Sequence, residues 1–204
     1  MITSDRNKAL EHLRAGGVVA VATETFFSLC ADARRPSAVE AVFALKGREE
    51  AKASAVLIPG TEAWPALVRE VPPMASRLAA RFWPGQLTIA LDAAESLHPL
   101  LRYRGKVAVR VPGASPALDL VRAFGGPLTA TSANPGGAPS SLADEDVRAY
   151  FEGRGALLVL EGRANGGMPS TVLECGEAGS WTIVRAGAVP ASVIEAVLAE
   201  EAAA

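Results

Sequence analysis

The chain has 204 residues, of which 50% are hydrophobic and 21% charged, and this balance is typical of a globular protein with one core. No apolar run reaches the length of a membrane span, and the polar N-terminus does not resemble a signal peptide, so we expect a cytoplasmic protein. The net charge of -2 argues against strong electrostatic binding of nucleic acid by the chain as a whole.

Hydrophobic periodicity and turn residues predict strands and helices that alternate along the chain. The first part of the chain is predicted to form a helix from a cap at Ser4 to Arg14, a strand at 18–22, a helix from Pro36 that Gly47 ends, and a strand at 55–58. Two helical stretches separated by Pro72-Pro73 follow, of which the second reaches Phe82, and then strands at 87–91 and 107–111 and a helix at 114–124. The last part is predicted to form a strand at 128–131, a helix at 142–151, strands at 157–160, 171–173 and 181–184, and a helix at 191–200. Together they predict a mixed α/β sheet in a single domain, residues 1–204.

The two cysteines, Cys30 and Cys175, form no CxxC pattern and lie in apolar segments. We therefore predict two packed thiols. Only His12 and His98 could join them as zinc ligands, so we predict no metal site built from protein side chains.

Polar side chains follow two of the predicted strands. Thr23-Glu24-Thr25 comes directly after the first strand, where open α/β sheets place ligands, although these residue types also form turns and caps. The segment 129–141 carries hydroxyls and an amide into a Gly/Pro loop, which suits either phosphate contacts or local turns. Neither a P-loop nor a GxGxxG fingerprint is present, so the common nucleotide folds are excluded.

Cationic side chains form two further patches. Lys46 and Arg48, with Lys52 nearby, surround a predicted helix C-terminus, where they can bind a phosphate or complement the helix dipole. Lys106 and Arg110 lie in KVAVRVP, and an arginine at the end of an apolar strand needs an anionic partner. That partner is either a structural carboxylate or the carboxylate of a ligand.

Seven segments between about residues 16 and 189 carry a further pattern: GGVVAVATETFFSLCADA, AVFALKGREEAK, RFWPGQLTIAL, KVAVRVPGASPAL, GGPLTATSANPGGAPS, GGMPSTVLE and IVRAGAV. In sequence and in order they resemble the blocks of the YrdC-like threonylcarbamoyl-adenylate synthases. The resemblance implies a YrdC-like twisted mixed sheet with flanking helices and a large concave cavity. It also implies a nucleotidyltransferase that joins L-threonine, bicarbonate and ATP, with release of pyrophosphate, for tRNA modification.

The resemblance also implies roles for individual residues. The KxR motif of the family falls on Lys46 and Arg48, the cations expected to act in catalysis, and its SxN motif falls on Ser132 and Asn134. These residues would bind ATP together with Lys52, Ser140 and Arg185. L-Threonine would be bound by Thr23, Thr25, Arg110 and Ser170, with Arg110 taking its carboxylate. Mg²⁺ would be held mainly by the ATP phosphates.

The sequence departs from the family pattern around the amino-acid pocket. Ala22 replaces a proline, Phe27 a tyrosine and Ser28 a glycine, and Glu49 stands where proline follows the KGR motif. These changes leave open a paralogue with another acceptor that forms a carbamoyl-adenylate. A further alternative is a non-catalytic module that binds double-stranded RNA or tRNA, with tRNA-modification proteins as partners.

Overall fold

The computed structural model describes residues 1–47, 54–176 and 179–199. Its helices are α1 (Arg6–Arg14), α2 (Pro36–Lys46), α3 (Pro73–Phe82), α4 (Pro116–Phe124), α5 (Asp144–Phe151) and α6 (Ala191–Ala199), with short 3-10 helices at Thr61–Ala66 and Pro99–Leu101. Its strands are β1 (Ile2–Thr3), β2 (Val18–Ala22), β3 (Phe27–Cys30), β4 (Ala55–Leu57), β5 (Leu87–Asp92), β6 (Lys106–Arg110), β7 (Leu128–Ser132), β8 (Leu157–Leu160), β9 (Thr171–Cys175) and β10 (Trp181–Arg185).

Local sequence signals explain where the helices begin and end. Helix α2 has Pro36 in its first turn and ends at Gly47, whose φ of 60° lies in the left-handed region that favours glycine. Helix α4 begins after Ser115, whose side chain accepts a hydrogen bond from the Leu118 amide. Helix α1 is capped by Asp5 and not by Ser4, which corrects the predicted cap by one residue.

Within the described residues, the strands form one ten-stranded sheet in the order β1-β8-β2-β3-β7-β4-β6-β5-β9-β10. Parallel and antiparallel neighbours are mixed: β8 pairs with β1 and β2 in parallel, whereas β3 pairs antiparallel with both β2 and β7. The predicted mixed α/β sheet is therefore confirmed. Most predicted strands are present within one or two residues of their expected bounds.

Two strands, β1 and β3, were not predicted. Strand β1 has only two residues and no periodicity to detect. Strand β3 follows β2 after a turn in which the Thr23 amide donates to the Phe26 carbonyl at 3.0 Å. Residues 23–26 therefore form the turn of a hairpin, and Phe27 begins its second strand.

The two faces of the sheet have different environments. Alternate residues of β5 and β6, such as Ile89 and Val109, are fully buried in the hydrophobic core. Helices α1, α2 and α4 contact β2, and α3 contacts β5. The intervening residues of the central strands face a cavity. Among the described residues, no helix has the length and apolar character that a membrane crossing requires.

Candidate functional site

The cavity on this face has a volume of about 840 Å³. Small side chains form much of its floor, because alternate positions on the central strands are Ala55, Ala90, Ala108 and Ala130. Polar side chains surround this floor. Those that the sequence predicted as site residues and that line the cavity are Thr23, Thr25, Arg110, Ser132, Ser140, Ser170 and Arg185.

Thr23 and Thr25 lie in the turn between β2 and β3, and both are buried. Thr23 Oγ1 accepts hydrogen bonds from the amides of Thr25 and Phe26, each at 3.2 Å. The two threonine Oγ1 atoms lie 3.1 Å apart. Thr23 and Thr25 therefore form a turn and line the cavity at the same time. The two interpretations of this segment, a turn and part of a ligand site, are compatible.

Arg110, at the end of β6, forms a buried ion pair with Glu24 through its Nη1 atom and Glu24 Oε1. Burial lowers the pKa of Arg110, and the negative charge of Glu24 opposes that effect. The structure thus provides Arg110 with a structural carboxylate, while Arg110 also lines the cavity. The other oxygen, Glu24 Oε2, is buried with no hydrogen-bond partner among the described residues.

Glycine at position 113 leaves room for this glutamate. A Cβ atom built on Gly113 would lie 3.2 Å from Glu24 Cγ, which is closer than side chains normally pack. In the sequence, Glu24 is only one of three polar residues that follow the first predicted strand. Its pairing with Arg110 joins positions 86 residues apart, and no local pattern signals such a contact.

Arg185, at the end of β10, contacts Ser170 through several hydrogen bonds. Its Nε and Nη2 atoms donate to the Ser170 carbonyl at 3.2 and 2.9 Å, and Nη2 lies 3.0 Å from Ser170 Oγ. Burial, and then the positive charge of Arg110, lower the pKa of Arg185. Two arginines that face one cavity and repel each other favour an anionic ligand between them.

Thr88 also lines the cavity beside Ser170, and it was not predicted as a site residue. Its Oγ1 atom lies 2.8 Å from Ser170 Oγ, and its side chain is buried. Threonine is a common strand former, so a threonine within the apolar run LTIAL carries no signal of a site. Only the pairing of β5 with β9 brings Thr88 to Ser170.

Lys46 is buried at the end of α2 and contacts the segment that follows β7. Its Nζ atom donates to the carbonyls of Ser132 and Asn134 at 2.5 and 2.7 Å, and it lies 3.0 Å from Asn134 Oδ1 and 3.3 Å from Ser132 Oγ. Ser132 Oγ in turn donates to Asn134 Oδ1 at 2.5 Å. The structure therefore brings Lys46, Ser132 and Asn134 together. Arg48 and Lys52 lie outside the described residues.

The cavity is also lined by Lys106, Glu174 and Tyr103. Lys106 begins β6, whereas Arg110 ends it, so the two cations lie at opposite ends of that strand. Lys106 Nζ donates to Asp92 Oδ1 at 3.0 Å and to the Cys175 carbonyl at 3.1 Å, and it lies 3.8 Å from Glu174 Oε1. This lysine is thus neutralised by carboxylates at the end of the cavity away from Arg110.

Both cysteines are buried free thiols, as predicted. Burial raises the pKa of Cys30 to about 12 and that of Cys175 to about 11, so both remain protonated at neutral pH. Within the part of the chain that the structure describes, no three His, Cys, Asp or Glu side chains gather as a metal site would require.

The chain is similar to one protein family and to proteins of that family from archaea and bacteria. A family model for Sua5, YciO and YrdC, described as "Telomere recombination", matches residues 11–187. The threonylcarbamoyl-AMP synthase of Pyrococcus abyssi is 35% identical over 191 residues, which are 92% of this chain and 55% of that protein. The threonylcarbamoyl-AMP synthase of Bacillus subtilis is 36% identical over 188 residues, 91% of this chain and 54% of that protein.

A solved structure of P. abyssi Sua5 complexed with L-threonine superposes on this chain with a TM-score of 0.88 and 34% identity. The match covers 96% of this chain and 57% of that one. The chain thus spans about half the length of these relatives.

Proposed function

The chain belongs to the Sua5/YciO/YrdC family, and from this premise we propose that it is a threonylcarbamoyl-AMP synthase. It would join L-threonine, bicarbonate and ATP into threonylcarbamoyl-AMP and release pyrophosphate, for use in tRNA modification. One observation carries the proposal: Arg110 and Arg185 face a single cavity that is also lined by threonine and serine hydroxyls. Such a cavity suits a ligand that combines a carboxylate with phosphates.

L-Threonine would lie at the end of the cavity formed by Arg110, Thr25, Thr23 and Ser170. Arg110 would bind its carboxylate with the guanidinium atoms that do not contact Glu24, because a second anion beside a buried arginine is stabilised by the remaining donors. The superposition on P. abyssi Sua5, whose structure was solved with L-threonine, supports this assignment.

ATP would occupy the part of the cavity between Ser132, Ser140 and Arg185, with Asn134 beside Ser132. Arg185 lines the same cavity as Ser132 and Ser140 and carries a charge suited to phosphate oxygens. Lys46 would add positive potential from beneath Ser132 and Asn134. Arg48 and Lys52 are proposed as further ATP cations from their place in the family motif alone.

The chemistry would depend mainly on positioning. The threonine amine takes up bicarbonate to give a carbamate with loss of water, and a carbamate oxygen attacks the α-phosphorus of ATP while pyrophosphate leaves. The cations would stabilise the charge that develops on the phosphates. Mg²⁺ that enters with ATP would take most of its ligands from phosphate oxygens, since the described residues offer no cluster of acidic side chains.

Mass spectrometry of the reaction product tests this proposal. The chain is incubated with ATP, Mg²⁺, bicarbonate and each member of a panel of amino acids, and we expect threonylcarbamoyl-AMP and pyrophosphate only when threonine is present. An adduct formed faster with another amino acid would identify a paralogue with a different acceptor. Absence of any adenylate product, with ATP bound, would contradict the synthase activity.

A further inference from the structure

Ser28 is a cavity residue with a hydroxyl that the site described so far does not use. It lies in β3, lines the cavity and is partly exposed there. Its neighbours Phe27 and Leu29 are fully buried, and Leu29 does not line the cavity. The alternation of the strand therefore directs Ser28 to the ligand side of the sheet.

The pairing of β3 with β7 places Ser28 directly opposite Ser132. The backbone bond from the Ala133 amide to the Phe27 carbonyl, at 2.9 Å, brackets this pair. Ser28 and Ser132 are therefore a non-hydrogen-bonded pair of the antiparallel ladder, the type in which facing side chains approach most closely, with Cα atoms about 4.5 Å apart. Two hydroxyls thus stand side by side on the cavity wall.

The two hydroxyls differ in whether they can still donate a hydrogen bond to a ligand. Ser132 Oγ uses its only O–H group to donate a hydrogen bond to Asn134 Oδ1, and it also accepts a hydrogen bond from Lys46 Nζ. Ser28 Oγ has no hydrogen-bond partner among the residues that the structure describes. An anionic ligand at this wall would therefore accept a hydrogen bond from Ser28 without disturbing the network of Ser132, Asn134 and Lys46.

The local charge indicates what kind of ligand group belongs here. The buried ammonium of Lys46 lies 3.3 Å from Ser132 Oγ, and this positive charge favours an anion next to the paired serines. A hydroxyl that donates to a charged oxygen also makes a stronger bond than one that donates to a neutral group.

We propose that Ser28 Oγ donates a hydrogen bond to a phosphate oxygen of the bound nucleotide, at the position beside Ser132. This inference rests on the proposed function, because it assumes that ATP binds in the cavity. It adds a binding residue where the family pattern has glycine, which has no side chain that could donate. The chain would thus hold the phosphates through a contact of its own.

Calorimetric titration of Ser28→Ala with ATP, pyrophosphate and adenosine tests the contact. Removal of the hydroxyl should weaken binding of ATP and of pyrophosphate roughly tenfold or more, the effect of losing one hydrogen bond to a charged group. Binding of adenosine, which has no phosphate, should not change. Ser28→Gly should show the same loss as Ser28→Ala, because both lack the hydroxyl.

Ser37→Ala is the matched control, since Ser37 is exposed on α2 and does not line the cavity. Equal ATP affinity of wild type and Ser28→Ala would overturn the Ser28 contact and leave the proposed function in place. An equal loss for adenosine would also overturn it, because the hydroxyl would then serve the nucleoside. Failure of the wild type to bind ATP at all would overturn the proposed function first and the Ser28 contact with it.

Discussion

The ion pair between Glu24 and Arg110 connects the stability of the cavity with its chemistry. Both side chains are nearly buried, with exposures of 11% and 9%, so each charge depends on the other for compensation. Removal of one partner would leave an uncompensated charge inside the protein. A simple alanine substitution at Arg110 would therefore mix a loss of folding stability with any loss of substrate binding.

A double variant separates these two effects. Arg110→Ala should lower the free energy of unfolding by about 3 kcal/mol or more, because it leaves the Glu24 carboxylate buried and unpaired. Glu24→Gln combined with Arg110→Ala should recover part of this loss in urea denaturation. It should still lack threonine-dependent pyrophosphate release, because the cation proposed to bind the threonine carboxylate is gone. Recovery of activity in the double variant would show that Arg110 serves only to neutralise Glu24.

For single residues, the sequence predicts which side chains need a charged or polar contact better than it predicts which residue provides that contact. Arg110 at the end of an apolar strand could be identified as a residue that needs an anion, since burial of an unpaired guanidinium is costly. The contact of Arg110 with Glu24 joins residues 86 positions apart, and the contact of Thr88 with Ser170 joins residues 82 positions apart, so both depend on how the strands are arranged in the sheet. The choice between a structural and a ligand carboxylate therefore required the fold.

The hairpin of β2 and β3, the segment after β7 and the end of α2 form one connected unit. Phe27 links them, because its amide donates to the Ser141 carbonyl and its carbonyl accepts from the Ala133 amide, both at 2.9 Å. Lys46 then fastens the same segment to α2 through the carbonyls of Ser132 and Asn134. The end of one helix thus determines the shape of the cavity wall.

Lys46→Met tests whether this lysine organises the wall. The substitution keeps the length of the side chain but removes the ammonium, so the carbonyl oxygens that it contacts lose a charged donor. We expect faster hydrogen exchange at the amides of 133–141 and weaker ATP binding, both caused by a looser wall. Lys106→Met, which removes a lysine bonded at the other end of the cavity, should leave exchange in 133–141 unchanged. Unaltered exchange in Lys46→Met, with weaker ATP binding, would indicate instead that Lys46 acts on the phosphates alone.

Element bounds were predictable where caps and periodicity act locally, as at Pro36 and Gly47 of α2. Strand β3 was not, because its four residues follow a turn whose polar side chains resemble a ligand loop. The order of the strands in the sheet could not be predicted from the sequence either. Strand β8 lies between β1 and β2, and β9 lies beside β5, so neighbours in the sheet are distant in the chain. The shared cavity follows from that order.

The charge of the whole chain bears on the choice between an enzyme for small anions and a module that binds RNA. The chain carries 20 Lys and Arg against 22 Asp and Glu. Of the cations known to line the cavity, Arg110 is paired with Glu24, and Lys106 is paired with Asp92. Binding of a polyanion needs several cations that displace the counterions condensed on the nucleic acid, whereas binding of one nucleotide needs only a few donors in place.

Titration of fluorescently labelled tRNA, read by anisotropy at increasing NaCl, tests this distinction. Near physiological salt we expect a dissociation constant of about 10 µM or weaker, the range of non-specific contact with nucleic acid. Excess ATP should not displace the tRNA, because a cavity of about 840 Å³ holds a nucleotide and not a folded RNA. Arg185→Ala should weaken ATP binding and leave the weak tRNA binding unchanged, since Arg185 is clamped on Ser170 at the cavity wall. A submicromolar constant that falls steeply with salt, with a slope equivalent to about six released counterions or more, would contradict this view. It would establish a basic RNA-binding surface on a protein whose net charge is negative.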